Sequence, residues 1–272
     1  MNKFHLHLVS DATGDTLASV AKAAEVQFDD VEAVHHTWSM VRTPAQLERV
    51  LNGIAAAPGL VLFTIVNKEL RDSLEEGCKR IQVPHVAVLD PVFAALSTYL
   101  GAHSKNQPGR QHTLDSEYFG RIEAMNFCLA HDDGQSPENL HKADVVLVGV
   151  SRTSKTPTCI YLANRGIKAG NIPIVPGMPL PTSVESLTKP LIVGLVASPE
   201  RLVQVRRNRL LALNQNPDTD YVDIETIKEE INTARKIFSR NDWPVIDVTR
   251  RSIEETAAAV MQLYERRKET QS

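Results

Sequence analysis

Residues 143–166 read ADVVLVGVSRTSKTPTCIYLANRG, the segment most informative about the fold. Its first part, residues 143–150, is almost wholly apolar, which is typical of a parallel strand buried on both faces. A short polar segment follows, and from residue 157 the pattern becomes helical. The stretch therefore predicts a strand, a loop and a helix in succession.

The loop in this stretch follows a phosphate-binding pattern. Residues 149–156, GVSRTSKT, match G-x-x-x-x-G-K-[ST] except at the second glycine, where the chain has Ser154. In such a loop, successive backbone N–H groups and the positive end of the following helix surround phosphate oxygens. The candidate nucleotide-binding residues are Gly149, Val150, Ser151, Arg152, Thr153, Ser154, Lys155 and Thr156.

Three side chains of the loop have expected roles. Lys155 neutralises the terminal phosphate, Thr156 places a hydroxyl where it ligates Mg²⁺, and Arg152 adds a phosphate contact. Ser154 carries a side chain where the pattern has none, so we expect its backbone to avoid the left-handed region that glycine tolerates. The alternative interpretation is a serine-rich helix cap, with Ser154 capping the helix after it.

Outward from this stretch, short apolar runs alternate with helical patterns along the whole chain. Such alternation predicts parallel strands joined by crossover helices. Residues 101–115 are polar and poor in periodicity, which indicates a linker, and a helix that bridges the halves follows. We predict an α/β protein with a Rossmann-like parallel-sheet domain at 1–104, a linker and bridging helix at 105–142, and a P-loop kinase-like α/β domain at 143–272.

The composition is that of an ordinary globular protein. Of 272 residues, 42% are hydrophobic and 23% charged, which argues against a disordered or fibrous chain. The net charge is -3, and no basic stretch with interleaved aromatic residues suggests a nucleic-acid surface. No apolar run approaches the roughly 20 residues that a membrane helix needs. We therefore expect neither nucleic acid nor membrane as a partner.

The number and spacing of the cysteines indicate the cellular compartment. Cys78, Cys128 and Cys159 are scattered and lack C-x-x-C spacing, so neither a disulfide framework nor a zinc site is indicated. His35-His36 also lacks the spacing of a metal site. The N-terminal apolar stretch is broken by His5 and His7, unlike a signal peptide. A reducing cytoplasm is the expected location.

A basic cluster lies on the helix predicted from residue 199 to residue 213. It consists of Arg201, Arg206, Arg207 and Arg209. On a helix such a cluster is usually a solvated face. Its other interpretation is a lid that faces phosphate.

Four motifs together resemble a known family. In chain order they are VSDATGDT at residues 9–16, LAHDDGQ at 129–135, GVSRTSKTPT at 149–158 and NIPIVPG at 171–177. They resemble the pyruvate, phosphate dikinase regulatory protein family, and the resemblance covers nearly the whole chain. A sibling branch regulates phosphoenolpyruvate synthase and has Gly-Lys where this chain has Ser154-Lys155, which favours the dikinase branch.

The resemblance implies a bifunctional regulator that acts on a threonine of the dikinase. With ADP as donor it phosphorylates and inactivates its target. With inorganic phosphate it removes the phosphoryl group and releases pyrophosphate. The family's nucleotide loop maps onto residues 149–156, and one loop would hold the β-phosphate of ADP in one direction and the attacking phosphate in the other.

A kinase of this type needs a group that accepts the threonine hydroxyl proton, and a carboxylate is the usual choice. The candidates are His131, Asp132 and Asp133, in the loop before a short helix start at Ser136. The alternative is that Asp132 and Asp133 belong only to a polar turn.

A second loop, residues 10–16, also follows a strand and precedes a helix, which is where open α/β sheets bind ligands. It would face the partner protein or form a second wall of the active site. Its alternative is a helix cap by Asp11 or Thr13, with Gly14 easing the turn.

Other functions are compatible with part of these features. A small-molecule P-loop kinase would use the strand, loop, helix and arginine-bearing helix, but it explains only half the chain. A non-catalytic nucleotide sensor would close two α/β halves on ADP. The sequence leaves the oligomeric state open, a homodimer included.

Overall fold

Two four-stranded sheets, each with all strands parallel, form the framework of the protein. The structure is a computed structural model and describes residues 2–102, 116–216 and 219–271. The chain divides into two compact units, Met1–Thr113 and Leu114–Ser272. Most of the predicted linker, residues 103–115, lies outside the described residues. In the described part of the chain, no helix has the length and apolarity needed to span a bilayer.

The first unit alternates strands and helices. The elements are β1 Asn2–Ser10, α1 Asp15–Glu25, β2 Val31–Trp38, α2 Pro44–Ala56, β3 Leu60–Thr64, α3 Lys68–Ile81, β4 His85–Ala87 and α4 Asp90–Leu100. The sheet has the order β2-β1-β3-β4. Two of the helices start at side-chain caps: Thr43 and Gln46 form a capping box before α2, and Asn67 caps α3.

The second unit repeats this alternation of strands and helices. The elements are α5 Ser116–Ala130, a 3-10 helix at Pro137–Lys142, β5 Val145–Gly149, α6 Lys155–Ala163, β6 Ala169–Pro173, α7 Thr182–Glu185, β7 Leu191–Val196, α8 Pro199–Ala212, a 3-10 helix at Asp220–Val222, α9 Ile224–Arg240, β8 Val245–Asp247 and α10 Ile253–Gln271. The sheet has the order β6-β5-β7-β8. Every residue of β5 and β7 is buried, as their continuous apolar runs predict.

The two sheets share one topology, although the sequence shows no internal repeat. In each unit the first strand is central, with the second strand on one side and the third on the other. The strand order reverses at β1 and at β5, and ligands of open α/β sheets bind outside the carboxyl end of such strands. Residues 10–16 leave β1 and residues 149–156 leave β5 at this position. The predicted α/β class with parallel sheets is confirmed.

The helix predicted between the halves is α5. Its residues Ala124 and Cys128 belong to the hydrophobic core of the second unit. Cys128, Cys159 and Cys78 are all buried free thiols. Burial raises the pKa of the Cys159 thiol well above its usual value, because no solvent stabilises a thiolate there.

The loop after β1 is built differently from the helix cap considered above. The N-cap of α1 is Gly14, with φ of 90°, and Asp11 does not cap this helix. Instead the buried carboxylate of Asp11 accepts a hydrogen bond from the Val66 amide at 2.8 Å. Burial also raises the pKa of Asp11. Asp11 therefore connects the loop after β1 to the segment after β3.

A histidine cluster lies on one face of β1 and β2. His7 is fully buried, stacks on His36 with ring centroids 4.5 Å apart, and donates from Nε2 to the Ala57 carbonyl at 2.8 Å. Its Nδ1 accepts from the indole N–H of Trp38 at 3.2 Å. His5 contacts His36 in turn, at 2.9 Å. Since His7 can make both bonds together only as the neutral ring, this cluster is structural. The described residues contain no cluster of three or more His, Cys, Asp or Glu side chains that could hold a metal ion.

The His7 environment predicts that the first unit loses stability in mild acid. Burial lowers the pKa of His7 below its ordinary value of 6.5, and His36 and His5 lower it further. Because the folded-state pKa lies below the unfolded one, the unfolded chain binds the proton more readily. The stabilisation is complete above pH 6.5 and is lost as the pH falls through the folded-state value.

The measurement is the free energy of unfolding of a Trp243→Phe variant, followed by Trp38 fluorescence from about pH 7.5 to about pH 5.5. The free energy should fall over this range, and His7→Gln should reduce the pH dependence, whereas the exposed control His141→Gln should leave it intact. An identical slope in His7→Gln would show that other groups cause it.

Candidate active site

The loop predicted to bind phosphate forms the turn between β5 and α6. Gly149 is required there, since a Cβ atom would lie 2.6 Å from the Leu195 carbonyl oxygen on β7. Arg152 and Ser154 both have left-handed backbones, with φ of 71° and 60°. The expectation that Ser154 avoids this region is wrong. The loop turns through that conformation where its pattern has glycine, and here a serine adopts it at some conformational cost.

Ser154 is the N-cap of α6, but its side chain makes no capping hydrogen bond, so the helix-cap interpretation is also wrong. The orientation of the loop is set instead by hydrogen bonds to its backbone carbonyl groups. The Val150 carbonyl accepts from Thr153 Oγ1 at 2.9 Å, and the Ser151 carbonyl accepts from Arg206 at 3.3 Å. Because a trans peptide holds its C=O and N–H on opposite sides, the amides of the next residues point the other way.

Lys155 is buried at the first turn of α6. Its ammonium donates to the carbonyls of Gly149 at 2.9 Å and Val150 at 3.0 Å. An ammonium has three donors, so one remains for an anion in the adjoining cavity. Burial lowers the pKa of Lys155 to about 8, against the opposing effect of Asp133, Cys159 and Asp132. A bound anion would replace the lost hydration and favour the charged form.

Two hydrogen bonds hold Asp132 beside the loop of residues 149–156. Its Oδ1 accepts from the Thr156 hydroxyl at 2.7 Å and from the Asn171 amide. Asn171 lies on β6, is fully buried, and accepts from the Asp133 amide at 3.2 Å through its own Oδ1. The Gly134 amide donates to the Asn171 carbonyl at 2.9 Å. Asn171 of β6 therefore holds the loop of residues 131–136 against residues 149–156, which are named the phosphate loop after their sequence pattern.

The three candidate proton acceptors have different surroundings. Asp133 is exposed and lines the cavity in front of the phosphate loop. His131 is buried, stacks on Phe127 at 3.9 Å and donates from Nδ1 to the Phe127 carbonyl. Its Nε2 is buried and has no partner among the described residues. Asp132 Oδ1 is engaged in its two hydrogen bonds, and of the three candidates only Asp133 is both exposed and part of the cavity lining.

A cavity of about 510 Å³ lies in front of the loop. Its lining combines polar and charged side chains with apolar ones, a composition suited to a ligand with a charged end and an apolar part. The lining residues are Asp133, Ser151, Arg152, Ser154, Lys155, Thr156, Pro157, Pro173, Ile174, Val175 and Val205.

The arginine cluster divides between two environments. Arg201, Arg207 and Arg209 are exposed on α8, as a solvated face predicts. Arg206 is fully buried and forms an ion pair with Glu230 at 2.6 Å, so it is neither solvated nor part of a lid. The burial of Arg206 follows from helical spacing, because it lies four residues after the buried Leu202 on the same face of α8.

The sequence interpretation assigned no role to Asn171, Glu230 or Tyr221. The signal for Asn171 is a polar residue within an apolar strand. Arg206 follows the buried Leu202 by four residues, which places both on the same face of α8. Tyr221 and Glu230 have no comparable local signal.

Comparison with known proteins identifies the family of this chain. The family model described as kinase/pyrophosphorylase matches residues 6–261. The chain is 58% identical over 267 residues to a protein of Sphingopyxis alaskensis, covering 98% of this chain and 99% of that one. It is 57% identical over 266 residues to a protein of Paramagnetospirillum magneticum, covering 98% and 86%. Both are named pyruvate, phosphate dikinase regulatory protein.

The match to the family model spans both units and includes the phosphate loop together with the loop of residues 131–136. The chain therefore belongs to the kinase/pyrophosphorylase family, and its activity falls within phosphoryl transfer.

Proposed function

We propose that this protein regulates pyruvate, phosphate dikinase in both directions. As an ADP-dependent serine/threonine protein kinase it transfers the β-phosphoryl group of ADP to a threonine hydroxyl of the dikinase, which leaves AMP. As a phosphorylase it transfers that group from the threonine to inorganic phosphate, which yields pyrophosphate. The names of the relatives, at 57 and 58% identity, support this target.

The observation that carries the proposal is that Asp133 and Lys155 line the same cavity. A phosphoryl group held by Lys155 and the loop amides would lie where an incoming hydroxyl meets the Asp133 carboxylate. Phosphoryl transfer depends mainly on positioning and charge stabilisation, and this cavity supplies both. Asp133 is exposed, so the side chain of a protein substrate can reach it.

The oxygen atoms at the end of the loop fit Mg²⁺. The Thr156 hydroxyl and the Asp132 carboxylate are 2.7 Å apart, and Mg²⁺ is bound by one or two such groups together with substrate phosphates. Bound there, the ion would neutralise charge on the phosphates. In this proposal Asp132 positions Thr156 and the ion, and Asp133 accepts the proton of the threonine hydroxyl.

The decisive experiment follows the label from ADP. The protein is incubated with purified dikinase and ADP labelled at the β-phosphate, and the dikinase is digested to locate the label. Label on a threonine, with AMP released in equal amount, supports the proposal. Label that reaches only a small metabolite would favour a P-loop metabolite kinase, and tight ADP binding without transfer would favour a sensor. Phosphoenolpyruvate synthase serves as the alternative protein substrate.

The reverse reaction provides a further prediction. Phosphorylated dikinase and inorganic phosphate should yield pyrophosphate, and ADP should inhibit competitively because one loop binds either molecule. The measurement is pyrophosphate release at increasing ADP. If dephosphorylation yields free phosphate by hydrolysis, or continues undiminished at saturating ADP, the shared site is wrong and a separate phosphatase centre must exist.

A further inference from the structure

A buried arginine is hydrogen-bonded to the backbone of the phosphate loop. Arg206 on α8 lies beneath the loop and is fully buried, and its guanidinium contacts three different segments of the second unit. We infer that Arg206 is a positioning residue for phosphoryl transfer, which fixes the peptide between Ser151 and Arg152 so that the Arg152 amide faces the phosphate. The inference rests on the proposed role of the loop.

The contacts of Arg206 define one orientation of the guanidinium. Both terminal nitrogens donate to the Glu230 carboxylate, Nη1 at 3.1 Å and Nη2 at 2.6 Å. Nη1 also donates to the Tyr221 carbonyl at 3.1 Å, and Nη2 to the Ser151 carbonyl at 3.3 Å. The planar fork makes these bonds together, which a lysine ammonium cannot do with the same geometry.

Tyr221 holds the same loop residue at a second point. Its hydroxyl lies 2.9 Å from the Ser151 hydroxyl, and its ring lies 4.6 Å from the carbon at the centre of the Arg206 guanidinium. Ser151 is thus fixed through both its side chain and its carbonyl. Arg152, the next residue, has a left-handed backbone that is unfavourable for a side chain of its size. A second support would keep the loop in this conformation.

The planar peptide between Ser151 and Arg152 links the hydrogen bond at the Ser151 carbonyl to the direction of the Arg152 N–H. With the Ser151 carbonyl turned toward Arg206, the Arg152 N–H of the same planar peptide points in the opposite direction. Arg152 lines the cavity in front of the loop. If the peptide rotated, a carbonyl oxygen would replace the amide at the phosphate and repel it.

Stability alone does not account for a charge in this place. A buried ion pair often contributes little to stability, because desolvation offsets much of its attraction. Arg206 also leaves its Nε buried without an acceptor among the described residues, which is unfavourable. An apolar side chain would fill the space without this desolvation cost. The arginine is therefore explained by its hydrogen bonds to Ser151, Tyr221 and Glu230.

The test compares a charge-free variant with a matched surface pair. Arg206→Met/Glu230→Met removes both buried charges and avoids leaving one unpaired. Glu225→Gln/Lys228→Gln removes an exposed ion pair of α9 as the control. ADP affinity is measured by calorimetry, and hydrogen exchange is measured in peptides that cover residues 149–156. The buried variant should bind ADP about ten- to a hundredfold more weakly and exchange faster in the loop.

The readouts separate a positioning role from a structural one. A variant that only unfolds in part keeps the wild-type dissociation constant in its folded fraction, whereas the inference requires that constant to change. Arg206→Lys should show the same change, and Tyr221→Phe a smaller one, so these single variants decide the matter if the double variant fails to fold. Wild-type affinity and exchange in all folded variants would overturn the inference.

Failure of the proposed function would look different. If wild-type protein binds ADP but labels no dikinase, the target is wrong and the Arg206 result stands. If wild-type protein does not bind ADP, exchange in the loop alone decides whether Arg206 fixes it.

Discussion

Lys155→Met is expected to lower both the kinase and the phosphorylase rates by about a thousandfold, because the buried ammonium that lines the cavity at the loop is lost. Methionine keeps the length and apolar character of the side chain, so the burial of α6 against β5 is preserved. Lys155→Ala should reduce activity equally and adds a small cavity. The rates are measured by transfer from β-labelled ADP and by pyrophosphate release.

The control for this prediction is Lys142→Met, which removes an exposed lysine of the 3-10 helix before β5. Both variants should keep the wild-type circular dichroism spectrum. Near-normal rates in folded Lys155→Met would remove the loop from the mechanism. Because the pKa of Lys155 is lowered to about 8, the wild-type affinity for phosphate should also decline above that pH.

Asp133→Asn is expected to slow phosphorylation of the dikinase by about two to four orders of magnitude, the range for a general base. The amide keeps the shape of the carboxylate and loses its basicity, so the dissociation constant of ADP should change little. The measurement is a single-turnover rate with pre-bound ADP, in which chemistry is separated from product release.

Asp132→Asn should behave differently, since Asp132 contacts Thr156 and not the open cavity. Its rate should recover in part at high Mg²⁺ concentration, whereas Asp133→Asn should not respond. Glu138→Gln, an exposed carboxylate a few residues further on, serves as the control. Normal phosphorylation by both aspartate variants would place the base elsewhere.

Much of the fold was predictable because its signals are local. The apolar runs of β5 and β7 and the caps before α2 and α3 are encoded by residues close together in sequence. The strand and helix predicted within residues 143–166 and the helix predicted from residue 199 to residue 213 therefore lie within a few residues of β5, α6 and α8. The phosphate loop was also local, since one strand, eight residues and one helix define it.

The arrangement of the carboxylates was not predictable from local patterns. Asp132 contacts Thr156 across 24 residues and Asn171 across 39. These contacts depend on β6 pairing beside β5 with Asn171 opposite Leu147, a register that neither strand encodes alone. Only this pairing distinguishes Asp132, which is held at the loop, from Asp133, which faces the cavity.

Neighbouring residues alone specify the α/β class, the parallel strands and the position of the loop between β5 and α6, because hydrophobic periodicity and a short motif are local signals. The remaining features depend on the tertiary structure. The backbone of Ser154 is left-handed because the loop must turn between β5 and α6, and Arg206 is buried because α8 packs its Leu202 face inward. Both outcomes follow from packing between segments distant in sequence, which sets where a side chain's hydrogen bonds and charge find their partners.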